Sequence, residues 1–334
     1  MRVTGKMMST NAISNIQNNM EKMDITNDRL SKGTKINLPQ DNPIGAVKVM
    51  SYQTALTEIE KYLENVDNAK TYLNSTDVSL TQVSEILQRI RELAVQSAND
   101  SFEQTARDAV ASEINELIEQ LVVVGNSSIG GRYIFAGYNT QEKPFKIFTG
   151  NDLLKEGEEA TLDLTDVEGN LRKNILKDVP VKIDYTGDQG MMMTEVDKGV
   201  TLEYNVTGDK IFKNKEGDLF KELLYLRDSI YKGDVNSDKD NDGHTIESQI
   251  GELDRIFNMI MKYRSQVGAK MRRIEQVEAR LEDNKISMSD LLSRTQDTDI
   301  TKSIMDLKTQ ENVQRMSLSV GAKVIQPTLV DFVK

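Results

Sequence analysis

Residues Tyr52–Ala94 read YQTALTEIEKYLENVDNAKTYLNSTDVSLTQVSEILQRIRELA. Tyr52, Leu56, Ile59, Leu63, Val66, Leu73, Leu80, Leu87, Ile90 and Ala94 recur here at steps of three, four or seven. A period near 3.5 kept up over so many turns places the apolar side chains on one seam of a helix. It also predicts coiled-coil-like packing against other helices. The absence of Pro and Gly between Tyr52 and Ala94 lets the helix run unbroken.

The pattern repeats on either side. After the break QSANDSFEQ, Val110, Ile114, Leu117, Leu121 and Val124 mark a shorter helix, and the tight connection predicts an antiparallel neighbour. Ile246, Ile250, Leu253, Phe257, Ile260, Val267, Met271, Ile274, Leu281, Met288 and Leu292 mark a second long helix able to pair with the first. Nearer the ends, Ile13, Ile16, Met20, Met23 and Leu30 form one stripe. Ile300, Ile304, Leu307, Val313, Met316, Val320 and Val324 form another, which stops before Pro327. The other faces of the first terminal helix carry Asn11, Asn15, Asn18, Asn19 and Asn27, poor helix formers that compete for backbone hydrogen bonds. Such a helix is marginal alone and calls for a partner.

The middle differs. Glycines 125, 130, 131 and 137 punctuate GNSSIGGRYIFAGYNTQEKPF. Beyond it, ATLDLTDV, VPVKIDY, VTLEYNV and KIFK read as short strands between turn signals, with DLFKELLYLRDSIY as a helical exception. The expected class is therefore mainly α with an inserted β domain, an elongated helical bundle built from the N- and C-terminal segments. Three parts follow: terminal helices in 1–45 plus 295–334, a long bundle in 46–140 plus 245–294, and a mostly β, acidic insertion in 141–244.

Composition narrows the function. The 334 residues carry 42 basic and 53 acidic side chains, net −11, and residues 151–244 hold 22 acids against 13 bases. A nucleic-acid partner would demand a basic face instead. With no Cys, no Trp and one His, disulfides, thiolate catalysis and Cys/His zinc sites are excluded. No run approaches the ~18 apolar residues of a membrane span. The start MRVTGKMMSTNAISN lacks the apolar core of a cleaved secretory signal, so an exported chain would leave by a route that does not read one.

One stretch has the look of a site. Asp238, Asp240 and Asp242 followed by Gly243 match the opening of a calcium-binding loop, but the twelfth position is Gln249, where a bidentate Glu belongs. The plainer reading is a solvated acidic loop beside a helix N-terminus. His244 lacks a second His or a Cys, and no phosphate loop, dinucleotide loop or nucleophile elbow is present. The chain reads as a non-enzyme with no catalytic residue, no cofactor and no metal.

The run RLSKGTKINLPQDNPIGA at 29–46 resembles the flagellin superfamily pattern L-S-x-G-x-x-I-N followed by an acidic turn. RELAVQSAND at 91–100 is also similar to that superfamily. GGRYIFAGYNTQEKPF at 130–145, VGAKMRRIE at 267–275 and VGAKVIQPTLVDFVK at 320–334 resemble its hook–filament junction branch more than its filament flagellins. The likeness covers about 1–145 and 246–334. It departs at Lys32 and Thr34, where the superfamily often has Ser and a basic residue, and in reading QDNP at the turn.

The resemblance implies a structural part of the bacterial flagellum, an adaptor between hook and filament, exported unfolded through a type III channel and assembled as a ring. Implied partners are other copies of the chain, the preceding hook-associated protein, flagellin, the export apparatus and an export chaperone at the C-terminal helix. The implied location is an external flagellum or one enclosed in a periplasm. The terminal helices would be disordered or exposed in the monomer, then ordered on docking, where apolar burial offsets the ordering entropy. The expected assembly residues are Ile13, Ile16, Met20, Met23, Leu30, Ile304, Leu307, Val320, Val324 and Leu329. Two alternatives stay open: a filament-forming flagellin, and an unrelated coiled-coil adaptor whose termini are ordered in solution.

Overall fold

The computed structural model describes residues 5–40, 42–99, 103–149, 179–214, 217–233 and 245–324. The expected strand ATLDLTDV, the DKDNDG loop with His244, and the last ten residues lie outside them. Helices dominate: α1 (Gly5–Lys32), α2 (Pro43–Ser97), α3 (Gln104–Gly125), α4 (Gly208–Phe212), α5 (Leu219–Lys232), α6 (Ile246–Gln296) and α7 (Ile300–Val324). Between α3 and α6 the described residues form four two-stranded antiparallel ladders. These are β1 (Ser128–Ile129) with β2 (Arg132–Tyr133), β3 (Phe145–Thr149) with β4 (Pro180–Tyr185), β5 (Met193–Asp197) with β6 (Val200–Glu203), and β7 (Lys213–Asn214) with β8 (Gly217–Asp218). The mainly α class with a β-containing insertion is thus present. The chain divides into two compact units: residues 1–60 with 282–334, and residues 61–281.

The larger unit holds most of the core. Val66, Leu73, Leu80, Leu87 and Ile90 on α2, Ile114, Ile118 and Leu121 on α3, and Ile260, Val267 and Ile274 on α6 are at most 1% exposed. Most of these are the periodic positions read from the sequence. Phe257 departs from that reading: it is half-buried, while its neighbour Ile256 is buried. Ion pairs Lys70–Glu278 (2.6 Å), Arg264–Asp77 (3.3 Å) and Arg91–Asp254 (2.6 Å) join α2 to α6. Residue numbers rise along one helix as they fall along the other, so the two run antiparallel.

The described residues of the insertion pack on a cluster of aromatic rings. Phe145 lies 4.9 Å from Phe212, 5.2 Å from Phe220 and 5.3 Å from Tyr185, centroid to centroid. One expected strand is corrected here. KIFK is the end of α4 followed by the first residue of β7, because adjacent Ile211 and Phe212 are both fully buried, which a strand with one buried face cannot achieve. In YIFAGY the strand stops at Tyr133, and consecutive Ile134, Phe135 and Ala136 are buried in a connection. Gly130 and Gly131, at φ 55° and 80°, make the two-residue turn that joins β1 to β2.

Arg227 ties the insertion to the bundle. Its fully buried guanidinium donates to Asp228 (2.7 and 2.9 Å), to Asn115 Oδ1 on α3 (3.1 Å) and to the Pro180 carbonyl on β4 (2.6 Å). Desolvation pushes the Asp228 carboxyl above its ordinary range, against the pull of Arg227.

Candidate assembly surface

The terminal unit is organised by the loop that follows α1. Gly33, at φ 72°, ends that helix in the left-handed conformation. The chain then lies along the end of α6. Lys35 N donates to the Gln296 carbonyl (2.7 Å), Thr298 N donates to the Gly33 carbonyl (2.9 Å), and Thr34 pairs with Asp297 in one antiparallel bridge. Asn42 Oδ1 accepts from Gly45 N (3.0 Å), and Pro43 occupies the first helical position of α2, where its missing N–H costs nothing. Ile36 is buried, and its Cδ1 would lie 2.5 Å from a Cβ placed on Gly45. Close approach, not turn geometry, therefore demands glycine at 45. The stretch KGTKINLPQDNPIG reads as a loop, and this is what its Ile, Asn, Pro and Gly do.

That clasp holds α1 and α7 side by side as an antiparallel hairpin. Asn19 Nδ2 donates to Ser317 Oγ (3.1 Å), and Ile16 Cδ1 sits 3.3 Å from where a Cβ on Gly321 would be. On α1, Ile16, Met23 and Leu30 are half-buried at steps of seven, whereas Ile13 and Met20, also seven apart, are 46% and 52% exposed. The apolar stripe of α1 is thus two rows wide, and the hairpin covers one row.

On α7 the division is sharper. The positions with reduced exposure are Ser303, Leu307, Gln310, Glu311, Gln314, Ser317 and Gly321, mostly polar or small, and apart from Glu311 they recur at steps of three and four. Gln310 Oε1 and Gln314 Oε1 are buried without a hydrogen-bond partner. The apolar side chains Ile304, Met305, Val313, Met316, Leu318 and Val320 point outward, 42–68% exposed. In a hairpin closed on itself the order would be reversed. Among the described residues of the terminal unit, Ile36, Ala46 and Val49 are the buried apolar ones, and none is below 7% exposure.

The expected assembly residues therefore separate. Ile13, Met20, Ile304 and Val320 face outward, Ile16, Met23, Leu30 and Leu307 line the seam, and the side chain of Val324 and all of Leu329 lie outside the described residues. Sequence periodicity missed Met305 and Leu318 and did not separate Val313 and Met316 from the seam. The signal that finds them is the polar row Ser303–Gln310–Gln314–Ser317, which the hairpin uses in place of the apolar one. A groove of about 460 Å³ opens between the two helices, lined by Met8, Ala12, Val313, Met316, Val320 and Gly321 among others.

The two-helix unit thus turns apolar rows outward, and comparison with known proteins says what the chain is similar to. Residues 3–140 match the family model of the bacterial flagellin N-terminal helical region, so this part of the chain is flagellin-like. Over its whole length the chain resembles flagellar hook-associated protein 3. It is 22% identical to that protein of Escherichia coli over 95% of both chains. It is also 21% identical to a Bacillus subtilis flagellin, over 98% of this chain and 97% of the other. The crystal structure of the Legionella pneumophila flagellar hook-associated protein 3 aligns with a TM-score of 0.57 at 14% identity, covering 74% of this chain and 98% of that one. This last likeness carries the fold.

Proposed function

We propose that this protein is a structural, non-catalytic component of the bacterial flagellum that joins hook to filament. The observation that carries the reading is the outward apolar face of α1 and α7, set in a chain similar over 95% of its length to a hook-associated protein. Docking buries that face against neighbouring copies in a ring, with the preceding hook-associated protein on one side and flagellin on the other. The weak intrinsic helicity of the Asn-rich α1 suits a chain that is threaded unfolded through an export apparatus, accompanied by a chaperone on its C-terminal helix, and ordered on docking. The working division is terminal assembly helices (1–45 with 295–334), a supporting bundle (46–140 with 245–294) and an acidic outer insertion (141–244).

The full-length similarity to a flagellin favours a second reading, a filament subunit. One experiment separates the two. Purified chain is concentrated in sulfate, which strengthens apolar burial, and then pelleted. Long helical filaments would establish a flagellin and end the junction reading. A chain that stays soluble alone but is captured by sheared hook or filament fragments supports the adaptor.

A further inference from the structure

The groove between α1 and α7 lies at the open end of the hairpin, away from the clasp. Met8, Ala12 and Asn15 come from the first half of α1, and Val313, Met316 and Gly321 from the second half of α7. None of the described lining residues is charged. Apolar side chains alternate there with the amides of Asn11 and Asn15 and the hydroxyl of Ser317, groups that both donate and accept hydrogen bonds. Such a lining suits an extended, uncharged stretch of chain, whose backbone groups need partners. A docking helix has already paired its own.

One such stretch begins where the groove ends. Helix α7 stops at Val324, one turn past Gly321, and the sequence continues as IQPTLVDFVK, outside the described residues. Pro327 cannot continue the helix and holds Gln326 in extended backbone. Pro is also favoured at the second position of a β-turn, here 326–329. From Val324 back to Val313 the helix spans roughly 16 Å. Residues 328–334 reach about 23 Å when extended, enough to lie along the whole groove. In an extended chain Val330 and Phe332 project to one side, and Leu329, Asp331 and Val333 to the other. The apolar pair then enters the groove while the carboxylate stays in water.

We propose that residues 328–334 fold back and occupy this groove in the free chain, with Val330 and Phe332 set against Met8, Ala12, Val313 and Met316. Asn11, Asn15 and Ser317 bond the segment's backbone. The occupant is the chain's own segment rather than that of a second copy, because it is tethered one turn from the site, and tethering raises its effective concentration above that of a free chain. Ile13, Met20, Ile304 and Leu318 lie outside the groove and stay open. The segment shields the groove until docking displaces it. This consequence rests on the assembly reading above, whereas the occupancy stands on the groove and the segment alone.

Hydrogen exchange of the full-length chain, read by mass spectrometry, tests the occupancy. The expected result is slowed exchange in residues 8–15, 313–321 and 328–333 together, at rates that do not change on dilution. In the full-length double variant Val330→Asp with Phe332→Asp, exchange in the two groove stretches should rise by about 10-fold. Met316→Asp should raise exchange in 328–333 likewise, and the buried seam of α2 should be unchanged in both variants. Equal exchange of wild type and double variant in the groove helices overturns the inference. Protection that fades on dilution makes the occupant a second copy and overturns it too. Capture by sheared hook and filament fragments tests the shielding. The double variant should be captured about 10-fold more tightly than wild type, because its groove is always open. Weaker capture of the variant overturns the shielding. Failure of both proteins to be captured, with the exchange pattern intact, removes the assembly reading and leaves the occupancy standing.

Discussion

Replacing Val320 with Asp tests the central claim that α7 carries an outward apolar face. Val320 is 59% exposed and lies on the row opposite the seam formed by Gln314, Ser317 and Gly321. Fully burying such a side chain stabilises by about 1.5–3 kcal/mol. With more than half its surface still in water, roughly 1–2 kcal/mol is left to be gained on docking. An aspartate forfeits that gain and adds the desolvation of an unpaired carboxylate, on the order of several kcal/mol. Docking should therefore weaken by at least about 100-fold. The free chain should hardly notice, because exposed substitutions usually change stability by within about 0.5 kcal/mol. Thermal unfolding followed by circular dichroism measures the second quantity, and capture by hook or filament fragments the first. Val320→Ala should fall between the two, losing roughly 10-fold or less. A fall in melting temperature comparable to that of a core substitution would place Val320 inside the hairpin. Unchanged capture would show that the face is not buried on docking. Either result refutes the reasoning.

Other substitutions probe the supports of that face. Gly45→Val places a branched side chain where Ile36 already sits, 2.5 Å from the new Cβ, and should destabilise the terminal unit by about 1–3 kcal/mol. Limited proteolysis of the α1–α2 connection would detect this, and an unchanged digestion pattern would count against the clasp. Arg227→Ala leaves the buried Asp228 carboxylate unpaired and should cost about 3–5 kcal/mol in urea unfolding, with much of the loss recovered by adding Asp228→Asn. Tyr185 donates to the carbonyls of Phe135 (2.8 Å) and Asp188 (2.9 Å), and burial pushes its phenol from the ordinary 10.0 to about 12. The native chain then keeps a proton that the unfolded chain has lost. This contribution is fully present below pH 10 and is lost as pH rises toward 12. Tyr185→Phe should flatten that alkaline fall, measured as the urea midpoint against pH, and an identical slope in both proteins would remove Tyr185 from the account.

Read alone, the spacing of Leu, Ile and Val at three and four residues was enough to establish the long helices and their seams, while the antiparallel run of α2 against α6 came from the structure. Periodicity depends on local backbone geometry, and every turn of α2 and α6 repeats it. The composition alone also excludes disulfides, thiolate catalysis and Cys/His zinc sites, since the chain has no Cys and one His. Tertiary structure alone decided which row of a stripe meets the partner helix. Ile13 and Ile16 are indistinguishable as sequence positions, yet Ile13 is exposed and Ile16 rests on Gly321. The choice is made by how closely two backbones approach: α7 offers Ser303, Ser317 and Gly321 to α1, small enough for close contact, and so turns Ile304, Met316 and Val320 away. The short strands of the insertion were misread at KIFK for a related reason. Local alternation suggests a strand, but a core of Phe135, Phe145, Phe212 and Phe220 requires Ile211 and Phe212 to be buried together, and a turn of helix meets that demand.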